Sequence, residues 1–392
     1  MTKKSRAIAS KHDSMRQKNE RLILELFCKG DFSTFQVSKQ LGLSSGGAKK
    51  LVDDIALGNI IARAPSQRQG NLGRMPITYG LNPKYCKIAI INFADNTISL
   101  IDLSGKVKDK IDLNIPPTIR DEHIYQTASE LKAMLERDED KDIPLAAISI
   151  AYLGKLHGDT YDNYFSGAFE RCTINLYKYF SQEFGVEVLL RNDLHFAILA
   201  ERQYGVLTGA ETSCCYMQIG RGCACSFLIN DKLYVGSSGL AGEIGHNLSM
   251  ESGKILEHYV DWYSARNAIS EKIAAGEPTC LSGKFTRQEA IEAYKNNDTL
   301  VCSVIDQMAK NAGIMLKNLT ELMDFDVIIL SGLMLEFGDR YYNTLMEKFL
   351  SYGYKHVKIV QSTLGENAIF LGAFEAARDI VFTRFIESRL RK

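Results

Sequence analysis

The stretch GSSGLAGEIGHNLSM, residues 236–250, combines four glycines with a carboxylate and an imidazole. The glycines let the backbone come close to a ligand, because a glycine has no Cβ atom. Glu243 and His246 stand three residues apart. A carboxylate accepts hydrogen bonds and an imidazole can donate one, so the pair can hold two neighbouring hydroxyl groups of a ligand. For each residue taken alone, a cap or a surface charge is the alternative interpretation.

Two further polar segments flank this stretch. Asn192 and Asp193 follow an apolar run that predicts a strand, and they open a predicted helix. Ligands of α/β proteins bind at the carboxyl ends of strands, which favours a ligand-binding role for this pair. Glu257 lies on the helix predicted after the glycine segment.

The chain from residue 87 onward alternates apolar strands with longer amphipathic segments, which predicts an α/β fold with mixed sheets. Strands are predicted at 88–93, 97–103, 107–113, 145–151, 187–191, 214–219, 223–229, 232–235 and 327–331. Helices are predicted at 122–137, 173–184, 194–204, 254–269, 286–295, 298–323 and 365–390.

The formal net charge of zero hides two unlike parts. Residues 1–80 hold 14 Lys and Arg against 6 Asp and Glu, whereas residues 81–392 hold 33 against 41. A basic head on an acidic body favours an anionic partner for the head, nucleic acid above all, although a solvated basic surface is the alternative. A length of 392 residues suggests two or three domains.

Cysteine usage and hydropathy indicate the compartment. The sequence has nine cysteines, no stretch of 18 apolar residues and no apolar core near its start. These features predict reduced thiols, no membrane span and a cytoplasmic protein.

The head has the pattern of a winged helix-turn-helix domain. Apolar spacing predicts a helix within residues 17–29, a second one capped by Ser33 and a third one starting at Ser44. A Gly-rich, Arg-containing segment between two short strands then predicts a β-hairpin wing. The residues expected to contact DNA are Ser44, Ser45, Lys49, Lys50, Arg68 and Arg74. A three-helix packing domain without a ligand is the alternative.

The segment GLAGEIGH, residues 239–246, closely resembles the signature of the ROK family of sugar kinases and transcriptional repressors. A winged head before such a body resembles the repressor branch. The resemblance implies a DNA-binding domain at 1–82 and an actin-like (ribonuclease H-like), two-lobed ATPase-type body at 83–392. One lobe would comprise about 83–193 plus a C-terminal helix at 373–392, and the other about 194–372. It also implies a sugar site lined by Asn192, Asp193, Glu243, His246 and Glu257.

Departures from the family pattern bear on the activity. The kinase members have a first phosphate loop, Asp-x-Gly-Gly-Thr, where this chain has Ile90, Asn92, Phe93 and Ala94. We therefore expect that the chain binds no ATP and has no catalytic residue. Asp193 would then bind the sugar and would not act as a general base. The family's zinc site adds three cysteines to the histidine of GEIGH, but the ten residues between His246 and Glu257 contain none, so no metal is expected.

Taken together, the sequence predicts a sugar-responsive transcriptional regulator, with repression inferred from the family. Its partners would be a double-stranded DNA operator, a sugar or sugar-phosphate effector, and further copies of the chain in a homodimer or homotetramer. Two alternatives stay open. One is an active sugar kinase with an added head, and the other is a regulator whose body binds a protein partner.

Overall fold

A computed structural model describes residues 3–64, 77–116, 118–154, 172–354 and 356–389, with side chains from residue 14 onward. The described chain forms two compact units. Unit 1 comprises the residues up to Gly154, residues 172–191 and those from Ala373 onward, and unit 2 comprises Asn192–Gly372. Within the described residues, no helix is both long and apolar enough to cross a membrane.

The N-terminal head in unit 1 has three helices and a small antiparallel sheet. Its elements are α1 (Lys3–Phe27), β1 (Phe32–Ser33), α2 (Thr34–Leu41), α3 (Ser45–Leu57), β2 (Ile61–Arg63) and β3 (Thr78–Leu81). The sheet order is β1-β3-β2. The β2–β3 pair confirms the predicted strands of the wing, whereas residues 65–76, which include Arg68 and Arg74, lie outside the described part of the chain.

Local capping explains the tight turn between α2 and α3. The Ser33 hydroxyl accepts a hydrogen bond from the Gln36 amide, and the Gln36 side chain accepts one from the Ser33 amide, forming a capping box. Gly42, at φ 64°, ends α2 in the left-handed conformation that glycine adopts most easily. Ser44 then caps α3 by accepting from the Gly47 amide at 3.2 Å. The predicted cap at Ser33 and the predicted start of the third helix at Ser44 are confirmed.

A five-stranded mixed sheet forms the rest of unit 1, and its last strand ends at the boundary with unit 2. The elements are β4 (Lys87–Asn92), β5 (Thr97–Asp102), β6 (Val107–Asp112), α4 (Asp121–Arg137), β7 (Leu145–Tyr152), α5 (Leu176–Phe184) and β8 (Glu187–Asn192). The strand order is β6-β5-β4-β7-β8, with β4 antiparallel to β5 and parallel to β7. All six residues of β4 are buried.

Unit 2 contains a second five-stranded sheet and most of the remaining helices. Its elements are α6 (Asp193–Tyr204), β9 (Ser213–Ile219), β10 (Cys223–Ile229), β11 (Lys232–Tyr234), α7 (Trp262–Ala274), α8 (Arg287–Lys295), α9 (Thr299–Met323), β12 (Val327–Ser331), α10 (Asp339–Leu350) and β13 (Lys358–Gln361). The last helix, α11 (Asn367–Ser388), begins in unit 2, and its residues from Ala373 onward belong to unit 1. The hydrophobic core of unit 2 is formed by residues of β9, β10 and β12 together with residues of α7, α8, α9 and α10.

The two large sheets share one topology. The order in unit 2 is β11-β10-β9-β12-β13, so in both sheets the strands run third, second, first, fourth and fifth in chain order. In both, the first strand is antiparallel to the second and parallel to the fourth. This repeated mixed sheet is the actin-like (ribonuclease H-like) architecture that the family resemblance implied.

The predicted helix at 254–269 is wrong in its first part. Residues Leu256–Tyr259 form a 3-10 turn, and the α-helix begins only at Trp262. The backbone before the 3-10 turn cannot be helical, because Leu248 and Ile255 form an antiparallel β-bridge. The Asp261 side chain then caps α7 by accepting from the Ser264 amide, which fixes the start of the helix.

Candidate functional sites

The glycine segment lies directly against the backbone of β10. The Gly242 carbonyl accepts a hydrogen bond from the Cys225 amide at 2.7 Å. A Cβ atom at Gly242 would lie 2.0 Å from the Cys225 carbonyl oxygen, and one at Gly245 would lie 2.2 Å from the Cys223 carbonyl oxygen. No other residue type fits these two positions without moving the strand, so the glycines place the side chains between and after them.

Glu243 and His246 form a pair at this position. Glu243 precedes a 3-10 turn, Ile244–His246, whose geometry brings its carboxylate to 3.5 Å from Nδ1 of His246. The Glu243 side chain is 24% exposed and that of His246 is 49% exposed, so a molecule in solution can reach both. One group accepts and the other can donate, which suits a ligand that carries hydroxyl groups.

Glu257 joins the same group of residues from the following 3-10 turn. Its carboxylate accepts a hydrogen bond from the Cys223 amide at 3.3 Å, at the start of β10. A Cβ atom at Gly245 would lie 3.1 Å from the Cβ atom of Glu257, which shows how closely the two segments pack. The structure therefore brings three of the predicted sugar-site residues, Glu243, His246 and Glu257, to one end of β10.

Asn192 and Asp193 lie at the junction of β8 and α6, as the sequence predicted. The Asn192 side chain caps α6 by accepting from the Leu194 amide at 2.9 Å, and Asp193 also accepts from that amide, at 3.0 Å. Helix α6 packs on β9 and β10. This pair belongs to unit 2 and lies at the start of α6, which packs on β10, the strand against which the turns of Glu243, His246 and Glu257 lie.

Asp261 is a positioning residue that the sequence reasoning missed. Its amide donates to the Glu257 carbonyl at 2.9 Å, and its buried carboxylate caps α7 through the amide and hydroxyl of Ser264. Burial raises the pKa of the Asp261 carboxyl, and the neighbouring Glu257 carboxylate adds to that effect. The aspartate directly before the apolar Trp262 was the available signal, because Asp is a favoured N-cap residue.

The described residues of the candidate DNA-binding surface lie on α3. Ser44, Ser45, Lys49 and Lys50 are all exposed, and the first turn of the helix holds no acidic residue. The Ser44 hydroxyl oxygen caps the helix. Two adjacent ammonium groups on a helix that follows a tight turn suit contacts with phosphate groups.

The cysteines of β9 and β10 are packing residues. Cys214, Cys215, Cys223 and Cys225 are buried free thiols. Burial raises the pKa of Cys214 to about 11 and places those of Cys223 and Cys225 well above the ordinary value, so these three thiols stay neutral. Over the described ranges, no group of three or more His, Cys, Asp and Glu residues is placed to hold a metal ion.

Comparison with known proteins identifies the family of this chain. The ROK family model matches residues 94–380, and the chain belongs to the ROK family.

Among the relatives, the chain is similar to the xylose repressor of Staphylococcus xylosus, at 23% identity over 85% of this chain and 86% of that protein. It is also similar to the xylose repressor of Caldicellulosiruptor bescii, at 22% identity over 92% of this chain and 95% of that protein. A solved structure described as a ROK family transcriptional regulator, a homologue of the E. coli MLC protein, superposes with a TM-score of 0.76 at 19% identity. It covers 95% of this chain and 99% of that one.

Proposed function

We propose that the protein is a sugar-responsive transcriptional repressor that binds operator DNA through its winged head. The observation that carries this proposal is the combination, on one chain, of an α3 that exposes Lys49 and Lys50 and a group of three side chains, Glu243, His246 and Glu257, that suits hydroxyl groups. Two relatives that match over 86% and 95% of their own length are named xylose repressors, which supports the same function.

The effector we propose is a sugar or a sugar phosphate. Two carboxylates and an imidazole at one end of β10 offer several acceptors and one donor in a small space, which is the chemistry that several ring hydroxyls require. Asn192 and Asp193 complete the proposed site. Asp193 acts there as a ligand to a hydroxyl group.

The loop after β4 supports a role without phosphoryl transfer. The Asn92 side chain accepts from the amides of Ala94 and Asp95 at 3.0 and 3.3 Å, and it donates to the Asp95 carboxylate at 2.8 Å. The Phe93 amide donates to the Ala151 carbonyl, and the Phe93 ring is buried. Three amides that could cradle a phosphate are thus engaged within the protein, and a carboxylate lies beside them.

The kinase alternative is tested by incubating the protein with ATP, Mg²⁺ and a panel of sugars. The panel contains D-xylose, D-glucose and N-acetylglucosamine. We expect no sugar phosphate above the rate of a blank without protein. Transfer at the rates typical of kinases, about 1–100 s⁻¹, would refute the proposal that this body is a binding domain.

The proposed assembly is a homodimer or homotetramer that presents two heads to two half-sites of the operator in the cytoplasm. Dimeric helix-turn-helix proteins bind half-sites that lie one helical turn, or a multiple of it, apart. A sugar can change the affinity for DNA only if it binds better to one arrangement of the heads than to the other. The direct test is operator binding with and without each sugar, measured by fluorescence anisotropy.

A further inference from the structure

The C-terminal helix α11 is clamped to the DNA-binding head by charged groups. Arg21, on α1, forms an ion pair with Asp379 and reaches the Thr383 hydroxyl at 3.5 Å. Arg389, just after α11, donates to the Asp54 carbonyl on α3 at 2.6 Å and lies 3.5 Å from the buried carboxylate of Glu20. Two of the three head helices are therefore held by the end of one body helix.

Aromatic packing reinforces this clamp. The Phe385 ring packs edge-on against Tyr85 at a centroid distance of 6.3 Å, and it fills the space over Gly58, where a Cβ atom would lie 2.4 Å from the ring. The Arg21 guanidinium lies 5.6 Å from the centre of the Phe382 ring. The head is thus packed against α11 in unit 1, in addition to being joined to the body by the chain.

The other end of α11 lies against the helix that starts at Asp193. A Cβ atom at Gly372 would lie 1.9 Å from the Phe196 carbonyl oxygen, so the two backbones are in direct contact within unit 2. Phe196 is the fourth residue of α6, whose first turn begins with Asp193 and is capped by Asn192. Because no space separates that turn from Gly372, any shift of the turn toward α11 would push directly on α11.

We propose that α11 transmits the state of the sugar site to the DNA-binding head. The proposal rests on the proposed function, because it assigns to α11 the coupling between the sugar at Asn192 and Asp193 and the orientation of α1 and α3. A sugar that moves the first turn of α6 moves α11 at Gly372. The same helix carries Asp379 and Phe385, which hold the head.

The first experiment separates coupling from binding. The clamp variants are Asp379→Ala and Arg389→Ala, and the matched control is Arg384→Ala. Arg384 lies on the same helix, but it pairs with Glu187 at 2.5 Å and donates to the Ala146 carbonyl, both in the body sheet. Calorimetry measures binding of D-xylose, D-glucose and N-acetylglucosamine, and anisotropy measures DNA affinity with and without each sugar. The DNA is an operator selected by the protein from random sequences.

We expect all three variants to bind sugar and DNA. In wild type and Arg384→Ala, the sugar should change the Kd for DNA by about 5- to 150-fold, the usual range of allosteric coupling. In the clamp variants the ratio of the Kd for DNA with sugar to the Kd without sugar should fall toward one. A clamp variant that keeps the wild-type factor would overturn the proposal. If no sugar changes DNA binding even in the wild type, the proposed function fails instead.

The second experiment needs no sugar. Gly372→Ala should speed amide hydrogen exchange in α6, and also in α1 and α3, by at least about fivefold. The control is Gly313→Ala, another buried glycine of unit 2, where a Cβ atom would lie 2.6 Å from the Leu345 carbonyl. Its effect should stay within α9 and α10. Unchanged exchange in α1 and α3 of Gly372→Ala would refute transmission through α11.

The milder variant Arg389→Ala covers the case in which Gly372→Ala does not fold. Coupling between two sites is reciprocal, so loosening the head should speed exchange in the first turn of α6, residues 193–197. Arg384→Ala should leave that turn unchanged. Equal exchange in wild type and Arg389→Ala at α6 would count against the proposal.

Discussion

At the scale of single residues, two glycines shape the proposed sugar site. Gly242 and Gly245 bring the chain against the carbonyl groups of Cys225 and Cys223, and this contact places Glu243 and His246 beside each other. The sequence predicted the pairing of Glu243 with His246 from their spacing and from the glycines around them. It could not predict that Glu257 would bond to the Cys223 amide, because that contact joins positions 34 residues apart.

The close approach at Gly245 makes a stability prediction. Gly245→Ala should lower the free energy of unfolding by about 1–3 kcal/mol, because the added methyl group meets the Cys223 carbonyl and the Glu257 side chain. Urea denaturation measures the effect. Gly283→Ala is the control, since a Cβ atom there meets no atom within 4 Å. Equal midpoints for both variants would show that the glycine segment does not pack against β10 at this position.

Asp261 gives a second prediction at this scale. Asp261→Ala should lower the stability by about 0.5–2 kcal/mol, because α7 loses its N-cap and the Ser264 amide loses its acceptor. Asp261→Asn should retain most of the stability, since asparagine caps helices about as well as aspartate. Thermal unfolding of the two variants tests this, and a loss as large for Asn as for Ala would refute the capping role.

At the scale of elements, caps and periodicity made the head predictable. Ser33, Gly42 and Ser44 mark helix boundaries by local chemistry that depends on a few neighbouring residues, and the structure confirms these boundaries. Elements defined by distant partners were harder to predict. The sequence reasoning did not find α10 or β13, and β13 has only four residues, which pair with β12.

Helix α3 carries a prediction about DNA binding. Lys49→Ala and Lys50→Ala should each weaken binding and lower the slope of log K against log salt by about 0.9, if each ammonium neutralises one phosphate. Anisotropy titrations between 50 and 200 mM salt, about the range over which such slopes are measured, give the slope. Lys295→Ala, which removes an exposed lysine from α8 in unit 2, is the charge-matched control. Slopes unchanged from wild type would remove both lysines from the interface.

At the scale of the whole molecule, the net charge of zero is the sum of a basic head and an acidic body, and neither part is neutral. The residues before position 81 carry a net charge of +8, and the remainder carries −8. An acidic body is repelled by DNA, so we propose the head as the surface that binds it. The alternation of strands and helices predicted the α/β class. The strand order of the two sheets could not be worked out from the pattern alone, because it depends on long-range pairing such as β9 with β12.

We propose that a sugar held by Glu243 controls the affinity of the head for DNA. The most direct measurement is the Kd for the selected operator, with and without the sugar that binds best, in wild type and in Glu243→Gln. We expect the sugar to raise the wild-type Kd by about 5- to 150-fold, while Glu243→Gln binds DNA normally and does not respond. A Glu243→Gln protein that responds to the sugar as wild type does would show that Glu243 does not hold the sugar that controls DNA binding.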